Sequence, residues 1–372
     1  MAKKRGKKIR VAFRKNRENR TRSQNLTRDA LDGQTDDQDA ADERISGRGQ
    51  LTRYRTIVGV GGQNEAIQRE IDEQACLTGR VLRAIGANRC DVQTSDKRMY
   101  VCTVRRVLRT MLRDSRNAVV AGDRVMFLPT GDGEGVIERV EPRQTVLSRG
   151  SGRFEHIIAA NVDQLAIIAS ASEPRLKPAL IDRFLVSAAR GGVRPVICIN
   201  KADLVDQEEL HPIIELYTGL GYDVITTVAT DAVGIEALRE MLVGRETVFA
   251  GQSGVGKSSL LNAVQPGLGL RTSQVSDDSG KGRHTTRTTE LIPLAGGGWV
   301  ADTPGVRQMS LWDVAPEEVE AYFVEFPKYV ADCHYPDCTH THETGCTVKS
   351  AVEEGHISPI RYESYLRMFH ND

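Results

Sequence analysis

Gly251, Gly256, Lys257 and Ser258 stand in the spacing Gly-x4-Gly-Lys-Ser, inside the run Phe249-Ala-Gly-Gln-Ser-Gly-Val-Gly-Lys-Ser-Ser259. An anion with several oxygens needs backbone N–H groups converging on it, and glycines let a loop curl to supply them. Here Gln252, Ser253, Gly254, Val255 and Ser259 complete such a loop between an apolar run, 246–250, and a helical pattern that starts near Leu260. Strand, loop and helix N-terminus in that order are what phosphate binding requires. Lys257 would reach the β- and γ-phosphates, and the Ser258 hydroxyl would ligate Mg2+. These residues imply a site for a nucleoside triphosphate.

A second motif, Asn200-Lys201-Ala202-Asp203, follows the apolar run 194–199. The Asp203 carboxylate can accept from both N1–H and N2–H2 of guanine, whereas adenine would leave it unpaired. Asn200 would brace the loop and could reach guanine N7, and the Lys201 stem would cover the base. In Thr227-Val-Ala-Thr230, Ala229 offers a backbone N–H for guanine O6. A third motif, Asp302-Thr-Pro-Gly305, also ends a strand pattern. Asp302 would hold Mg2+ through water, and the Gly305 N–H would meet a γ-phosphate. Between loop and Asp302 lies Gly280-Lys-Gly-Arg-His284-Thr285-Thr286-Arg287, with Thr286 as the Mg2+-sensing threonine and Thr285 the second choice. These are GTPase motifs in an unusual order, with Asn-Lys-x-Asp first and Asp-x-x-Gly last. Circular permutation can keep such a site while moving the chain ends.

Cys333-x4-Cys338-x-His340-x5-Cys346 supplies three thiols and an imidazole within fourteen residues. Cys3His closes a tetrahedron around Zn2+ with no open position, which makes the metal structural. His334 and His342 compete with His340 as the nitrogen ligand.

The elements that position these residues change character along the chain. Fifty Lys and Arg balance fifty Asp and Glu over 372 residues, but unevenly. Residues 1–28 hold twelve basic residues and one acid, and residues 29–43 hold seven acids and no base. Such blocks, almost without aromatics, predict a disordered tail and linker over 1–74. From 75 to 149, about five short alternating runs predict a barrel of the oligonucleotide-binding (OB) type. Arg80, Arg83, Arg105, Arg106, Arg109 and Arg113 give it a basic aspect suited to nucleic acid, or simply a solvated surface. Residues 150–310 alternate strand and helix patterns, which implies a parallel sheet covered on both faces with ligands at the strand C-termini. Helical patterns over 316–326 and 357–369 flank the cysteine cluster in a C-terminal unit, 311–372, where Arg361, Arg367 and Lys349 are candidate RNA contacts. No apolar run reaches membrane-span length and no signal-peptide core follows Met1. Together with scattered cysteines (Cys76, Cys90, Cys102, Cys198), this predicts a cytoplasmic protein.

The permuted motif order, the preceding barrel and the Cys/His cluster together resemble the circularly permuted small ribosomal subunit biogenesis GTPases, over roughly residues 76–370. The resemblance implies an α/β fold: a circularly permuted P-loop GTPase domain with an N-terminal OB-type barrel and a C-terminal zinc-binding helical domain. It implies slow GTP hydrolysis stimulated by the small ribosomal subunit, binding to its rRNA, and a role late in subunit maturation. The family pattern picks His340 as the fourth zinc ligand. Val306 stands where many GTPases carry a water-orienting Gln, and valine cannot polarise water. His284 is therefore the candidate catalytic residue, with Lys257 and Thr286. The expected assembly is a monomer with one Zn2+, Mg2+ bound with GTP, and no membrane partner. A rival reading is an RNA-binding protein that holds GTP as a structural ligand.

Overall fold

The structure is a computed structural model and describes residues 7–12, 54–60, 68–69, 71–86, 88–105, 108, 118–151, 154–270, 289–302 and 314–370. Strands β1 (Lys7–Ala12), β2 (Tyr54–Val60) and β3 (Gln68–Arg69) pair antiparallel in that order. They lie in the segment, 1–74, expected to be a disordered tail and linker. In β1, Ile9 and Val11 alternate with Lys8 and Arg10, so even this charged stretch carries the period of two that a strand needs. Ile9 stands opposite Ile57.

The barrel is built from β4 (Leu77–Ile85), β5 (Arg89–Thr94), β6 (Met99–Val104), β7 (Arg124–Gly131) and β8 (Glu134–Val140). Their order is β4-β5-β6-β8-β7, and β7 pairs back to β4, so the sheet closes on itself. Only β6 and β8 run parallel. Inward residues alternate with outward ones along β6, and Val81, Cys90, Val92, Cys102, Phe127 and Ile137 are fully buried. Closure leaves no edge within the barrel. Burial pushes the Cys102 thiol up to about 12, so it stays protonated and packs as a small apolar group.

A hairpin of β9 (Val146–Ser151) and β10 (Phe154–Ala160) spans the junction expected near 149–150. Asn161, in the left-handed region at φ 52°, then ties the units together. Its Nδ2 donates to Gly122 O at 3.1 Å and its Oδ1 accepts from Gln144 N at 2.9 Å.

The main sheet has the order β13-β12-β11-β14-β16-β15. Its strands are β11 (Gln164–Ser170), β12 (Arg194–Asn200), β13 (Asp223–Thr227), β14 (Glu246–Ala250), β15 (Glu290–Pro293) and β16 (Trp299–Asp302). All neighbours are parallel except β15 and β16. Near-continuous burial along β11 reflects its central place, with helices above and below. Helices α1 (Pro178–Arg190) and α2 (Gln207–Gly219) pack on one face through Ile181, Phe184, Leu185, Leu210 and Tyr217. Helices α3 (Ile235–Leu242) and α4 (Lys257–Val264) cover the other through Ile235, Leu238, Leu260 and Leu261. A helix follows each of β11, β12, β13 and β14 in the chain, the kind of crossover that parallel strands need.

Among the described residues the C-terminal unit has a 3-10 helix (Pro316–Tyr322) and three α-helices: α5 (Pro327–Val330), α6 (Thr347–Glu353) and α7 (Pro359–His370). The pattern over 316–326 is thus a tighter 3-10 turn that stops at Tyr322. Phe323, Phe326, Val348, Tyr365 and Met368 form its core, joined by Val186 of α1. No described helix is long and apolar enough to cross a membrane.

Candidate functional site

The ends of β12, β13, β14 and β16 converge, and each carries one of the sequence motifs. At the end of buried β14, Gly251 has φ 148°. A Cβ there would lie 2.1 Å from Ile168 O, so the loop presses against β11 and tolerates no side chain. Gly256 has φ 95°, and a Cβ on it would meet Asn200 Nδ2 at 2.3 Å. The loop then enters α4 at Lys257, whose Nζ donates to the carbonyls of Gly251 and Gln252, each at 2.8 Å. That arrangement holds an ammonium over a ring of backbone groups at a helix N-terminus, a setting that favours anions. Ser258 and Ser259 are half-buried on the first turn, and Ser253 is exposed.

Asn200 is 1% exposed and joins two motifs. Its Nδ2 donates to Val255 O in the phosphate loop at 2.9 Å, and its Oδ1 accepts from Thr227 Oγ1 at 3.1 Å. Its Oδ1 and one of its two Nδ2 hydrogens are thus engaged inside the protein, which is the bracing role. Lys201 sits at φ 59°, and its Nζ donates to Glu173 O at 2.5 Å. Ala202 and Asp203 open a 3-10 turn, and the exposed Asp203 carboxylate makes no hydrogen bond or ion pair among the described residues. Ala229 is half-buried in a loop closed by mutual backbone bonds between Val228 and Val233, at 3.0 and 3.2 Å. Asp302 ends β16 with its backbone opposite Phe249, two residues before Gly251. His284, Thr285, Thr286, Gly305 and Val306 lie outside the described residues.

The loop after β11 has no motif and was missed by sequence reasoning. Pro174 lies over the phosphate loop, with its Cδ at 3.8 Å from where a Cβ on Gly254 would be. Glu173 O receives both Ser170 Oγ, at 2.8 Å, and Lys201. The loop thereby links the guanine motif to the phosphate loop.

In the C-terminal unit the ligand atoms of Cys333, Cys338, His340 and Cys346 all lie within 4.8 Å of one another. Cys333 Sγ is 3.9 Å from Cys346 Sγ and 3.5 Å from His340 Nδ1, and His340 Nδ1 is 3.4 Å from Cys346 Sγ. A tetrahedron with Zn–S bonds of about 2.3 Å has edges of roughly 3.8 Å, so three thiols and an imidazole at these spacings fit zinc. The fully buried His340 presents its other nitrogen, Nε2, to Glu320 Oε2 at 2.8 Å, the carboxylate partner that metal-bound imidazoles commonly have. Glu320 sits twenty residues upstream, where no local spacing marks it. His334 and His342 are exposed and stand outside this group.

Several cations expected to face nucleic acid are occupied within the fold. Arg80 pairs with Glu246, Arg83 with Asp91 and Glu290, and Arg105 with Glu138. Arg106, Arg109 and Arg113 lie outside the described residues. Arg361 is 1% exposed and bonds Asp182 and Glu325, which removes it as an RNA contact. Lys349 Nζ donates to Glu343 O at 3.2 Å, and Arg367 pairs with Glu363 on the same helix.

Comparison with known proteins agrees with this geometry. Residues 140–312 match the family model described as RsgA GTPase. A protein of Bacteroides fragilis named "Small ribosomal subunit biogenesis GTPase RsgA" is 41% identical over 283 residues, covering 74% of this chain and 91% of that protein. The crystal structure of YjeQ from Thermotoga maritima superposes with a TM-score of 0.65 at 37% identity, covering 80% of this chain and 98% of that one. YloQ, described as a circularly permuted GTPase, gives 0.61 at 31%, covering 82% and 97%.

Proposed function

The chain belongs to the RsgA GTPase family, and we propose that it hydrolyses GTP to GDP and phosphate when it is bound to the small ribosomal subunit, late in that particle's maturation. It is a GTPase of small ribosomal subunit biogenesis. The observation that carries the site reading is Asn200, whose amide spans Val255 and Thr227 and so makes the guanine and phosphate loops one unit. Residues 251–259 would cradle the phosphates, Asp203 would accept from guanine N1–H and N2–H2, and the Ala229 N–H would meet O6. Lys257, released from the carbonyls of Gly251 and Gln252, would neutralise phosphate charge as it builds in the transition state.

Mg2+ would be held by Ser258, Thr286 and Asp302, where it supplies charge neutralisation on the phosphate oxygens. Zn2+ would be held by Cys333, Cys338, His340 and Cys346, and supplies a structural cross-link with no open position. His284 would orient the attacking water in place of the residue at Val306. Barrel and zinc unit would contact rRNA, and the protein would work as a cytoplasmic monomer.

Steady-state hydrolysis with purified subunits tests this reading. Multiple turnover with small subunits, and little with large subunits or none, is the expected result. Stable GTP binding without turnover on either subunit would instead favour an RNA-binding protein that holds GTP as a structural ligand, a reading that Val306 supports. For His284→Ala, an unchanged single-turnover rate on the small subunit with intact binding would remove that residue from catalysis.

A further inference from the structure

An edge strand presents unpaired N–H and C=O groups and invites another strand. One edge of the main sheet is β15, and the barrel meets it at one bridge, between Glu290 of β15 and Arg83 of β4. The pairing runs inward as one row. Glu290 stands opposite Asp302 on β16, and Asp302 stands opposite Phe249 on β14, just before the phosphate loop. A continuous hydrogen-bonded row therefore connects the barrel to both the Asp-x-x-Gly strand and the phosphate-loop strand.

Side chains repeat this link at two points of unequal strength. Arg80 and Glu246 pair with side-chain exposures of 17 and 16%, and Arg80 also donates to Asn161 O at 3.1 Å. That contact is a firm pin at the N-terminal end of β14. Arg83 and Glu290 approach only to 3.5 Å, with exposures of 39 and 47%. An ion pair this open is weak and salt-sensitive. Arg83 is nevertheless held in place, because its Nε and Nη2 donate to Asp91 Oδ2 at 3.0 and 2.7 Å.

We propose that Arg83 and Glu290 are positioning residues for the subunit-stimulated reaction. When the barrel docks, the pair sets β15 and, through the shared row, the β16 end that carries Asp302. The proposal rests on the reading of the chain as a subunit-stimulated GTPase, whose site it deepens. Among the described residues neither side chain bonds the phosphate loop or the guanine motif, so GTP affinity is expected to hold in both variants.

Single-turnover hydrolysis by wild type, Arg83→Gln, Glu290→Gln and the double variant tests it, with subunits absent or saturating and subunit affinity measured separately. Intrinsic rates and affinities are expected to hold. The stimulated rate should fall about fivefold in each single variant, the low end of coupling between sites, with the double variant no slower than either. Multiplying losses in the double variant would overturn the proposal. So would a defect confined to Arg83→Gln and to subunit affinity, which would make Arg83 a plain RNA contact. A wild type that small subunits do not stimulate would overturn the functional reading, and this pair's role with it.

Discussion

Asn200 shows at the residue scale why the two nucleotide motifs act together, because its buried amide leaves Val255 and Thr227 no freedom to separate. The glycine opposite it follows from the same contact. In Gly256→Ala the new Cβ would lie 2.3 Å from Asn200 Nδ2, on a backbone at φ 95° that disfavours any side chain. Strain of about 1–3 kcal/mol at such a position should weaken GTP binding roughly tenfold or more. Titration with a fluorescent GTP analogue checks this, and unchanged affinity would sink the argument. Asp203→Asn tests base recognition separately. Loss of charge-assisted bonds worth about 1.5–3 kcal/mol should weaken GTP binding roughly 10- to 100-fold. Xanthosine triphosphate should gain, because the new amide can donate to its C2 carbonyl, and retained guanine preference would count against Asp203. These residues were legible because their spacing is local: a loop between strand and helix, a tetrapeptide at a strand end, four soft ligands in fourteen residues. Glu320 and Glu173 were not legible. Glu320 meets His340 across twenty residues and Glu173 meets Lys201 across twenty-eight, and no period or spacing encodes either contact.

Elements were readable where one face is buried, so the barrel strands and the alternation of strands with α1 to α4 follow from apolar period alone. Strand β1 was hidden because its charges set the composition while its alternation is short. The joints between units were hidden for another reason, since they are ion pairs between residues far apart in sequence. Arg361 of α7 is the clearest case. Its Nη1 donates to Asp182 Oδ1 of α1 at 2.6 Å, its Nε and Nη2 donate to Glu325 at 2.7 and 3.0 Å, and its Cζ lies 4.4 Å from the Phe323 ring centre. Tyr217 of α2 donates to the same Asp182 oxygen at 2.8 Å. On a surface helix an arginine reads as a cation for solvent or RNA, and only the packed helices reveal it as a buried tie. Removing one partner of a buried pair strands the other charges, at a cost of about 3–5 kcal/mol. Arg361→Ala should therefore lower the denaturant midpoint of the C-terminal unit markedly. Arg367→Ala, an exposed pair on the same helix, should change stability by less than about 0.5 kcal/mol. Equal effects of the two substitutions would contradict the assignment of Arg361 as an interdomain tie.

Across the whole molecule the α/β unit is gripped from two sides, by the barrel through Arg80 and Glu246 and by the zinc unit through Asp182 and Arg361. The Cys3His group that would hold Zn2+ stands at the far end of the second grip. Tyr362 and Tyr365 of α7 donate to His340 O at 2.6 Å and Thr339 O at 2.7 Å, so the helix that carries Arg361 is anchored on the ligand loop itself. Loss of the ion would leave three thiols and a buried imidazole unheld, and a unit whose fold is linked to its metal loosens when the metal leaves. Chelation should therefore speed amide exchange in α6 and α7 first, and then in the first half of α1 around Asp182. The barrel strands β4 to β8 share no contact with the cluster and should keep their protection. GTP affinity should stay within about twofold, because the phosphate loop rests on β11 and Asn200 and not on the zinc unit. On the proposed reading, in which barrel and zinc unit both contact rRNA, stimulation by the small subunit should fall sharply. Hydrogen exchange with and without chelator, alongside nucleotide titration and subunit-stimulated hydrolysis, measures all four quantities. If α7 kept its protection after metal loss, the cluster would be a local staple, and the path from His340 through α7 to Asp182 would carry nothing.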